Sequence, residues 1–262
     1  AKAKSELVKA IQPSGVVVLN ADDERVVAMR ELTKATVFTY GFSSAADVRA
    51  ENLQLTAYGS YTFDLVYRGE RIQTSIPMLG EHNVLNALAA AAVGIAVGME
   101  VTDIARALTT LKLMSKWRME VHQIPGNVTI INDAYNANPE SMTAALQTLT
   151  AIPAAGKKFA VVGKMHELGD DSDAIHAQIA KLAIELGVSK VVAVGEAAKT
   201  YGLPETMGQK SVWLPDFDSA CDYIVDEVNS GDVLLLKASR AEQFELLADQ
   251  IEVVLRAKWG QQ

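Results

Sequence analysis

The sequence predicts an α/β fold with a mostly parallel sheet, and three observations lead to this prediction. Short β-branched runs, such as 16–20 (VVVLN) and 190–195 (KVVAVG), have the composition of buried strands. Segments with helical periodicity alternate with these runs, and this order implies right-handed β-α-β units. The chain has 262 residues, of which 49% are apolar, so it is long enough for two domains with separate cores.

The first half of the chain predicts one β-α-β unit followed by an antiparallel meander. Residues 48–78 alternate apolar and polar side chains, with turn residues at 58–60 (YGS) and 68–70 (RGE). We expect Gly80 to open one helix and Thr102 to cap the next. The predicted order is a helix start at 1–10, strand 16–20, helix 21–32, strand 36–42, the meander, helix 80–99 and helix 101–111.

The pattern restarts near residue 115, and we therefore predict domains at 1–114 and 115–262. Pro125 and Gly126 separate two short strands, which predicts a hairpin. Strands and helices then alternate to the end of the chain, as in a Rossmann-like domain. The predicted strands are 119–124, 127–133, 158–163, 190–195, 211–214 and 232–239, and the predicted helices are 140–150, 172–186, 217–229 and 241–258, with one more around Ala197.

Composition excludes several classes of protein. The formal net charge is −8, from 24 basic and 32 acidic residues, which does not favour nucleic acid or an anionic membrane as a partner. Cys221 is the only cysteine, so no internal disulfide can form and a reducing compartment fits best. The most apolar stretch, 85–99, is shorter than the ~20 residues of a membrane span, and residues 1–10 lack the apolar segment of a signal peptide. We expect a soluble cytoplasmic protein.

Polar side chains crowd the point where strand 127–133 passes into the next helix. Asp133 ends the strand, and Tyr135, Asn136 and Asn138 follow it. Ligands of open α/β sheets lie beyond the carboxyl ends of strands, where a carboxylate can hold ribose hydroxyls or a metal-bound water. Asp, Asn and Asn-Pro are also ordinary turn and cap residues. The residues alone leave both interpretations open.

Five separated motifs together resemble the Mur ligase superfamily, and the resemblance covers essentially the whole chain. It implies the second part of a central ATPase domain, followed by a Rossmann-like C-terminal domain. In that family an N-terminal domain and a phosphate loop precede these residues, and the sequence contains no G-x-x-x-x-G-K-[ST]. The motifs are GEHNVLNALAA (80–90), RME (118–120), NDAYNANPESMTAAL (132–146), VVGKMHELGDDS (161–172) and LLLKASRAEQFE (234–245).

The resemblance implies an ATP-dependent ligase of peptidoglycan precursor synthesis that forms a C–N bond. Its cofactors would be ATP and Mg²⁺. Its substrates would be a UDP-N-acetylmuramoyl-tripeptide, activated as an acyl phosphate, and D-alanyl-D-alanine. We expect the chain to be inactive alone and to need the N-terminal part of the same enzyme as its partner.

In the first half, the resemblance implies roles for four residues. Lys4 would be carbamylated and bind Mg²⁺ as a hard oxygen ligand, although a solvated lysine is an equally simple interpretation. His82 would lie near a phosphate or the metal, or would only belong to the turn. Asn83 and Asn86 are three residues apart, so they share one helix face, and they would read the edge of adenine. The alternative for this pair is capping and solvation.

In the second half, Arg118 would bring a planar charge to the γ-phosphate. Asp133 would bind the ribose, and Tyr135 and Asn136 would line the same cleft. The carboxylate of the incoming dipeptide would meet Lys237, Ser239, Arg240 and Asn138. The sequence departs from the family at Lys164, where another, often acidic, residue is usual, and at Ala238, where Gly is usual.

Other functions remain open at this stage. Within the superfamily, another amino-acid-adding ligase or a folylpolyglutamate synthase would share most of these motifs. A nicotinamide-dependent oxidoreductase would fit the Rossmann-like half, but no G-x-G-x-x-G follows any strand. A non-catalytic binding module would not need so many polar residues at strand ends.

Overall fold

The computed structural model describes residues 1–56, 59–111, 115–202 and 208–260. Its chain divides into two compact units, Ala1–Leu113 and Met114–Gln262. Both are α/β, and the sheet of the second unit is mostly parallel, which confirms the predicted fold class. The predicted boundary after residue 114 borders residues outside the described set and stays a prediction. Tyr58 of the predicted turn also lies outside it.

The first unit contains a five-stranded mixed sheet in the order β1-β2-β3-β4-β5. Strands β1 to β3 pair in parallel, and β3 to β5 form the predicted antiparallel meander. The elements are α1 (Lys2–Ala10), β1 (Val16–Asn20), α2 (Glu24–Val27), β2 (Thr36–Gly41), β3 (Val48–Leu55), β4 (Ser60–Tyr67), β5 (Glu70–Leu79), α3 (Glu81–Ala96) and α4 (Val101–Thr109).

Two predictions in the first unit were wrong. The helix predicted over 21–32 is interrupted: α2 is a single turn, and a 3₁₀ helix, Ala28–Leu32, continues it. The β-branched pair Val26 and Val27 disfavours a longer α-helix. Thr102 does not cap α4, because the helix already begins at the buried Val101.

The second unit contains a six-stranded sheet in the order β10-β9-β8-β11-β7-β6. All neighbours pair in parallel except β6 and β7, which form the predicted hairpin. The elements are β6 (Glu120–Ile124), β7 (Val128–Asn132), α5 (Pro139–Ala151), β8 (Lys158–Val162), α6 (Ser172–Glu185), β9 (Lys190–Val194), β10 (Ser211–Leu214), α7 (Phe217–Glu227), β11 (Val233–Lys237) and α8 (Phe244–Trp259), with 3₁₀ segments at Gly169–Asp171, Glu196–Gly202, Gly208–Lys210 and Arg240–Glu242.

Two boundaries in this unit differ from prediction because of left-handed backbone. Met119 was placed in strand β6 but has a φ of 51°, so the strand begins after it. Helix α8 was predicted from residue 241, but Gln243 has a φ of 54° and the α-helix begins at Phe244. The first departure directly follows Arg118, and the second comes three residues after Arg240.

Helices cover both faces of the second sheet. Leu234 and Leu236 of β11 point into a core formed with α7 and α8. Helices α5 and α6 pack together, and α5 contacts β8 and β11. Among the residues that the structure describes, no helix is both long and apolar enough to cross a membrane.

Candidate active site

The second sheet has a topological switch point between β8 and β11. These strands are neighbours, and the helices that follow them, α6 and α8, pack with different partners, α5 and α7. Open α/β sheets bind ligands in the crevice beyond the carboxyl ends of such strands. The loops that form this edge are 163–168, 238–243 and, after the next strand β7, 133–138.

A buried ion pair joins β7 to β11 at this edge. The parallel register places Leu236 beside Asn132, so the next residues, Lys237 and Asp133, are level. Lys237 Nζ lies 2.6 Å from Asp133 Oδ2 and donates a second bond to the carbonyl of Asn136 at 2.7 Å. The lysine side chain is only 3% exposed. Its positive charge therefore interacts with groups of the protein itself.

The turn before β6 is held by the same carboxylate. The N–H of Met119 donates to Asp133 Oδ1 at 3.0 Å, and the N–H of Trp117 donates to Glu120 Oε2 at 3.1 Å. The N–H of Tyr135 donates to the carbonyl of Trp117 at 2.9 Å. Trp117 and Met119 have φ values of 59° and 51°, a conformation that bulky residues rarely adopt. The surrounding bonds hold this unfavourable turn.

This turn presents Arg118 to solvent. The Arg118 guanidinium stacks on the Tyr135 ring, 3.9 Å from its centroid. Arg240 stacks in the same way on Trp117, at 4.3 Å, and forms an ion pair with the buried Glu245. Stacking orients a guanidinium but leaves its edge N–H donors for an anion, and two planar donors suit phosphate or carboxylate.

Ser239 connects three loops of the site. Its hydroxyl accepts the N–H of His166 at 2.9 Å and donates to the carbonyl of Ala137 at 3.2 Å. Its own N–H donates to the carbonyl of Lys164 at 3.0 Å. The imidazole of His166 lies 2.6 Å from Glu242 and ties the same loops together. Ser239 is buried, so holding the loops is its visible role in this structure.

A buried histidine on helix α6 holds the 163–168 loop through a hydrogen bond. His176 Nε2 accepts the N–H of Met165 at 2.8 Å, and Nδ1 lies 2.6 Å from the carbonyl of Ser172. These partners assign the proton to Nδ1 of a neutral ring. Burial lowers the pKa of His176 below its ordinary value, in part opposed by the Ser172 carbonyl and Asp173. The ring meets buried Tyr201 edge-on at 4.7 Å.

The remaining loop residues have local partners. Asn138 caps α5 with a reciprocal capping box: its side chain accepts the N–H of Ser141, and Ser141 Oγ accepts the N–H of Asn138. Asn136 Oδ1 accepts the N–H of Ala137 at 2.9 Å. The proposed contacts of Asn136 and Asn138 with ligand stay predictions.

In the first unit, the predicted adenine pair occupies the start of α3. Gly80 opens this helix with a φ of 87°, as expected. Asn86 Nδ2 donates to Asn83 Oδ1 at 3.0 Å, which confirms a shared face, and Asn83 Nδ2 donates to the carbonyl of Leu79 at 2.7 Å. His82 Nε2 lies 3.2 Å from Asn83 Nδ2. Lys4 is exposed on α1.

Acidic residues after β1 serve the backbone in this structure. Asp23 caps α2, whereas Asp22 accepts the N–H groups of Phe42 and Ser43. Among the described residues, no group of three or more His, Cys, Asp or Glu side chains could hold a metal ion. A carbamylated Lys4 would offer one oxygen ligand, and Mg²⁺ usually takes only one or two protein carboxylates beside phosphates and waters.

Sequence reasoning missed several members of the second unit's site. Trp117 and Glu120 flank Arg118, but their roles depend on the turn conformation. His176 gave a weak signal, because a lone histidine in a helix is usually unremarkable. Glu242 gave no signal until its loop was placed beside His166.

Comparison with known proteins identifies both units. Residues 1–94 match the family model of the Mur ligase middle domain, and residues 117–240 match that of the Mur ligase glutamate ligase domain. The UDP-N-acetylmuramoyl-tripeptide–D-alanyl-D-alanine ligase of Mycobacterium tuberculosis is 38% identical over 272 residues, covering 96% of this chain and 53% of the relative. The chain therefore spans about half the length of the curated relatives it matches.

Solved structures show the same fold. MurF from Acinetobacter baumannii has a TM-score of 0.85 and 29% identity over 96% of this chain and 55% of that protein. MurF ligase from Thermotoga maritima, solved in complex with ADP, has a TM-score of 0.83 over 98% of this chain and 57% of that protein. The second likeness, at 24% identity, supports the fold alone.

Proposed function

The chain belongs to the Mur ligase superfamily, and on this premise we propose that it supplies the middle and C-terminal domains of an ATP-dependent ligase. The ligase would join D-alanyl-D-alanine to a UDP-N-acetylmuramoyl-tripeptide in peptidoglycan precursor synthesis. The observation that carries this proposal is the alignment of 96% of the chain with a relative of that name at 38% identity. Because ATP and UDP-linked precursors are cytoplasmic substrates, we place the enzyme in the cytoplasm.

The proposed reaction begins when a carboxylate oxygen of the UDP-linked peptide attacks the γ-phosphorus of ATP and releases ADP. The amine of D-alanyl-D-alanine then attacks the acyl carbon, loses a proton, and expels inorganic phosphate. The protein's contribution is to position the reactants and to offset the negative charge that develops. Arg118 is suited to this role because its guanidinium is exposed and its orientation is fixed by Tyr135.

We assign parts of the nucleotide to polar side chains of each unit separately, on family grounds. We assign adenine to Asn83 and Asn86, whose amides occupy one face at the start of α3. We assign the ribose to Asp133. Its oxygens already accept from Met119 and Lys237, but each carboxylate oxygen has two lone pairs and can accept a further hydroxyl. Tyr135 and Asn136 would lie beside the ribose in the second unit, and His82 is kept as a neighbour of a phosphate or the metal in the first.

The dipeptide carboxylate would lie at the switch point beside Arg240. Lys237, Ser239 and Asn138 were predicted to share this role. Their hydrogen bonds in the structure hold the loops, and their contact with the carboxylate stays a prediction. Mg²⁺ and a carbamylated Lys4 remain part of the proposal on family grounds. We assign no step to the metal.

The test is phosphate release by a fusion protein. It would join this chain to the region of the M. tuberculosis relative that the alignment does not cover. With ATP, Mg²⁺ and the UDP-linked tripeptide, we expect release to depend on D-alanyl-D-alanine. Single amino acids or folate in its place would support a different ligase of the superfamily. Release that ignores the dipeptide would remove the assignment. Arg118→Ala should lower kcat by 100-fold or more, on the order of a lost transition-state donor.

Because the chain belongs to the Mur ligase superfamily, no observation favours a nicotinamide-dependent oxidoreductase or a non-catalytic binding module. Neither family model nor any relative described above belongs to those classes. The ligase alternatives differ in the acceptor and donor that they use, and the substrates of the assay separate them.

A further inference from the structure

Arg118 stands on a turn that local preferences alone would not form. Trp117 and Met119, on either side of it, both adopt left-handed backbone, at φ 59° and 51°. Such conformations persist where the surrounding structure determines them, and they concentrate at functional positions. The question is which contacts determine this turn.

Asp133 holds the turn through one oxygen and is itself held through the other. Its Oδ1 accepts the N–H of Met119 at 3.0 Å, while Lys237 Nζ binds Oδ2 at 2.6 Å. Rotation of the carboxylate would break both bonds together. Because the lysine is 3% exposed and its stem is packed, the ammonium fixes the orientation of the carboxylate.

Lys237 also restrains the loop that carries Tyr135, the aromatic partner of Arg118. Its second bond goes to the carbonyl of Asn136 at 2.7 Å, directly after Tyr135 in the chain. The ring of Tyr135 is the surface on which Arg118 lies. One buried ammonium therefore restrains both the turn that carries the guanidinium and the loop that carries the ring.

We propose that Lys237 is a positioning residue for Arg118 and does not bind the substrate carboxylate. It acts through Asp133 on the turn and through Asn136 on Tyr135. Two of its three N–H donors are used within the protein, and the side chain is only 3% exposed. To meet a carboxylate ligand in the crevice it would have to move outwards and leave Asp133 buried and unpaired, which is strongly unfavourable. The geometric claim concerns the protein without ligand. Only its consequence for catalysis rests on the proposed function.

The primary test is NMR of the 262-residue chain with Lys237→Met. We expect the upfield ring-current shift of the Arg118 δ and ε protons to fall by at least half. Hydrogen exchange of the Met119 amide should accelerate at least tenfold relative to Gly195, whose N–H is bonded to Leu214 at the far side of the sheet. A folded variant with both signals unchanged would overturn the proposal.

Lys158→Met provides the matched control. Lys158 belongs to the same sheet, and its ammonium donates to the carbonyl of Thr150, away from the turn. This variant also loses a partly buried lysine, yet it should leave the Arg118 and Met119 signals in place. Equal changes in both variants would show general loosening and contradict a specific role for Lys237.

If Lys237→Met does not fold, hydrogen exchange of the unmodified chain tests the proposal instead. The Met119 amide should then exchange within about tenfold of the Asp133 amide, which is bonded to Leu236 in the sheet, because related protection is expected for groups that open together. Exchange more than 100-fold faster, as for a surface turn, would overturn the proposal.

The ligase assay separates positioning from substrate binding. A positioning role predicts that Lys237→Met lowers kcat at saturating ATP, and that adding it to Arg118→Ala lowers kcat by less than a further twofold. A carboxylate-binding role predicts a raised KM for D-alanyl-D-alanine that persists in the Arg118→Ala background, which would refute the proposal. Failure of the proposed function would leave the NMR result standing.

Discussion

Asn83 and Asn86 in the first unit, and Asp133 and Lys237 in the second, are candidate functional pairs in very different surroundings. The asparagines bond to each other at the start of α3, and Asn86 is exposed. Asp133 and Lys237 form a buried ion pair between neighbouring strands. The first pair can exchange partners with a ligand, whereas the second cannot do so without disturbing the sheet edge.

This difference separates two ways in which a residue can serve a binding site. Removing an exposed amide removes a ligand contact and little else. Removing one member of a buried ion pair leaves an uncompensated charge, so the substitution reduces both function and stability. Substitutions should therefore affect the two pairs on very different scales of unfolding free energy.

The largest effect is expected for Lys237→Met. We predict that it lowers the free energy of unfolding of the second unit by about 3–5 kcal/mol, because Asp133 keeps a buried charge without its partner. All three tryptophans, Trp117, Trp213 and Trp259, belong to this unit, so urea unfolding followed by their fluorescence reports it alone. A loss below 1 kcal/mol, or one matched by the Lys158→Met control, would mean that the pair is weakly coupled to the fold.

Acid should produce the next largest effect, through His176. Burial lowers its pKa in the folded state, so the unfolded chain binds more protons below about pH 6.5. Its contribution is complete above that pH and is lost as the pH falls through this window. We predict that His176→Gln flattens the pH dependence of unfolding between pH 7 and 5, and an unchanged slope would exclude His176 as its source.

A smaller effect is expected at the cap of α5. Asn138→Ala removes the side chain that accepts the N–H of Ser141, and we predict a loss of about 1 kcal/mol. Asn136→Ala, two residues earlier, removes only a bond to the adjacent Ala137 and should change stability by no more than about 0.5 kcal/mol. Urea unfolding measures both losses. A larger loss for Asn136→Ala than for Asn138→Ala would contradict the prediction.

The smallest stability effect is expected in the first unit. We predict that Asn86→Ala changes its unfolding free energy by no more than about 0.5 kcal/mol, since alanine gains helix propensity as the exposed bond to Asn83 is lost. Circular dichroism measures the stability, and calorimetric titration with ATP–Mg²⁺ measures binding. Weakened binding at constant stability would support the adenine assignment, and unchanged binding would contradict it.

Much of the fold could be predicted from local sequence. The β-branched runs at β8, β9 and β11 lie between turn residues, and the structure confirms all three strands. Pro125 with Gly126 marked the hairpin, and Gly80 marked the start of α3. These signals are strong because a few neighbouring residues determine the backbone there.

The working geometry of the site could not be predicted in the same way. Lys237 and Asp133 are 104 residues apart, so no local pattern reveals their pairing. Trp117 and Met119 adopt backbone that their side chains disfavour, because Asp133 and Glu120 hold the N–H groups. Motif resemblance identified Arg118, Asp133 and Lys237 as important, but it could not distinguish contact with substrate from support of the turn.

The central claim is that ATP activates a peptide carboxylate that the dipeptide then attacks, and isotope transfer tests it most directly. The fused protein would receive UDP-linked tripeptide labelled with ¹⁸O in its terminal carboxylate, with ATP, Mg²⁺ and D-alanyl-D-alanine. Because the bridging oxygen of an acyl phosphate leaves with phosphorus, we predict one ¹⁸O atom in each released phosphate by mass spectrometry, and only when the dipeptide is present. Unlabelled phosphate would show that water attacks ATP directly, and would contradict the ligase mechanism.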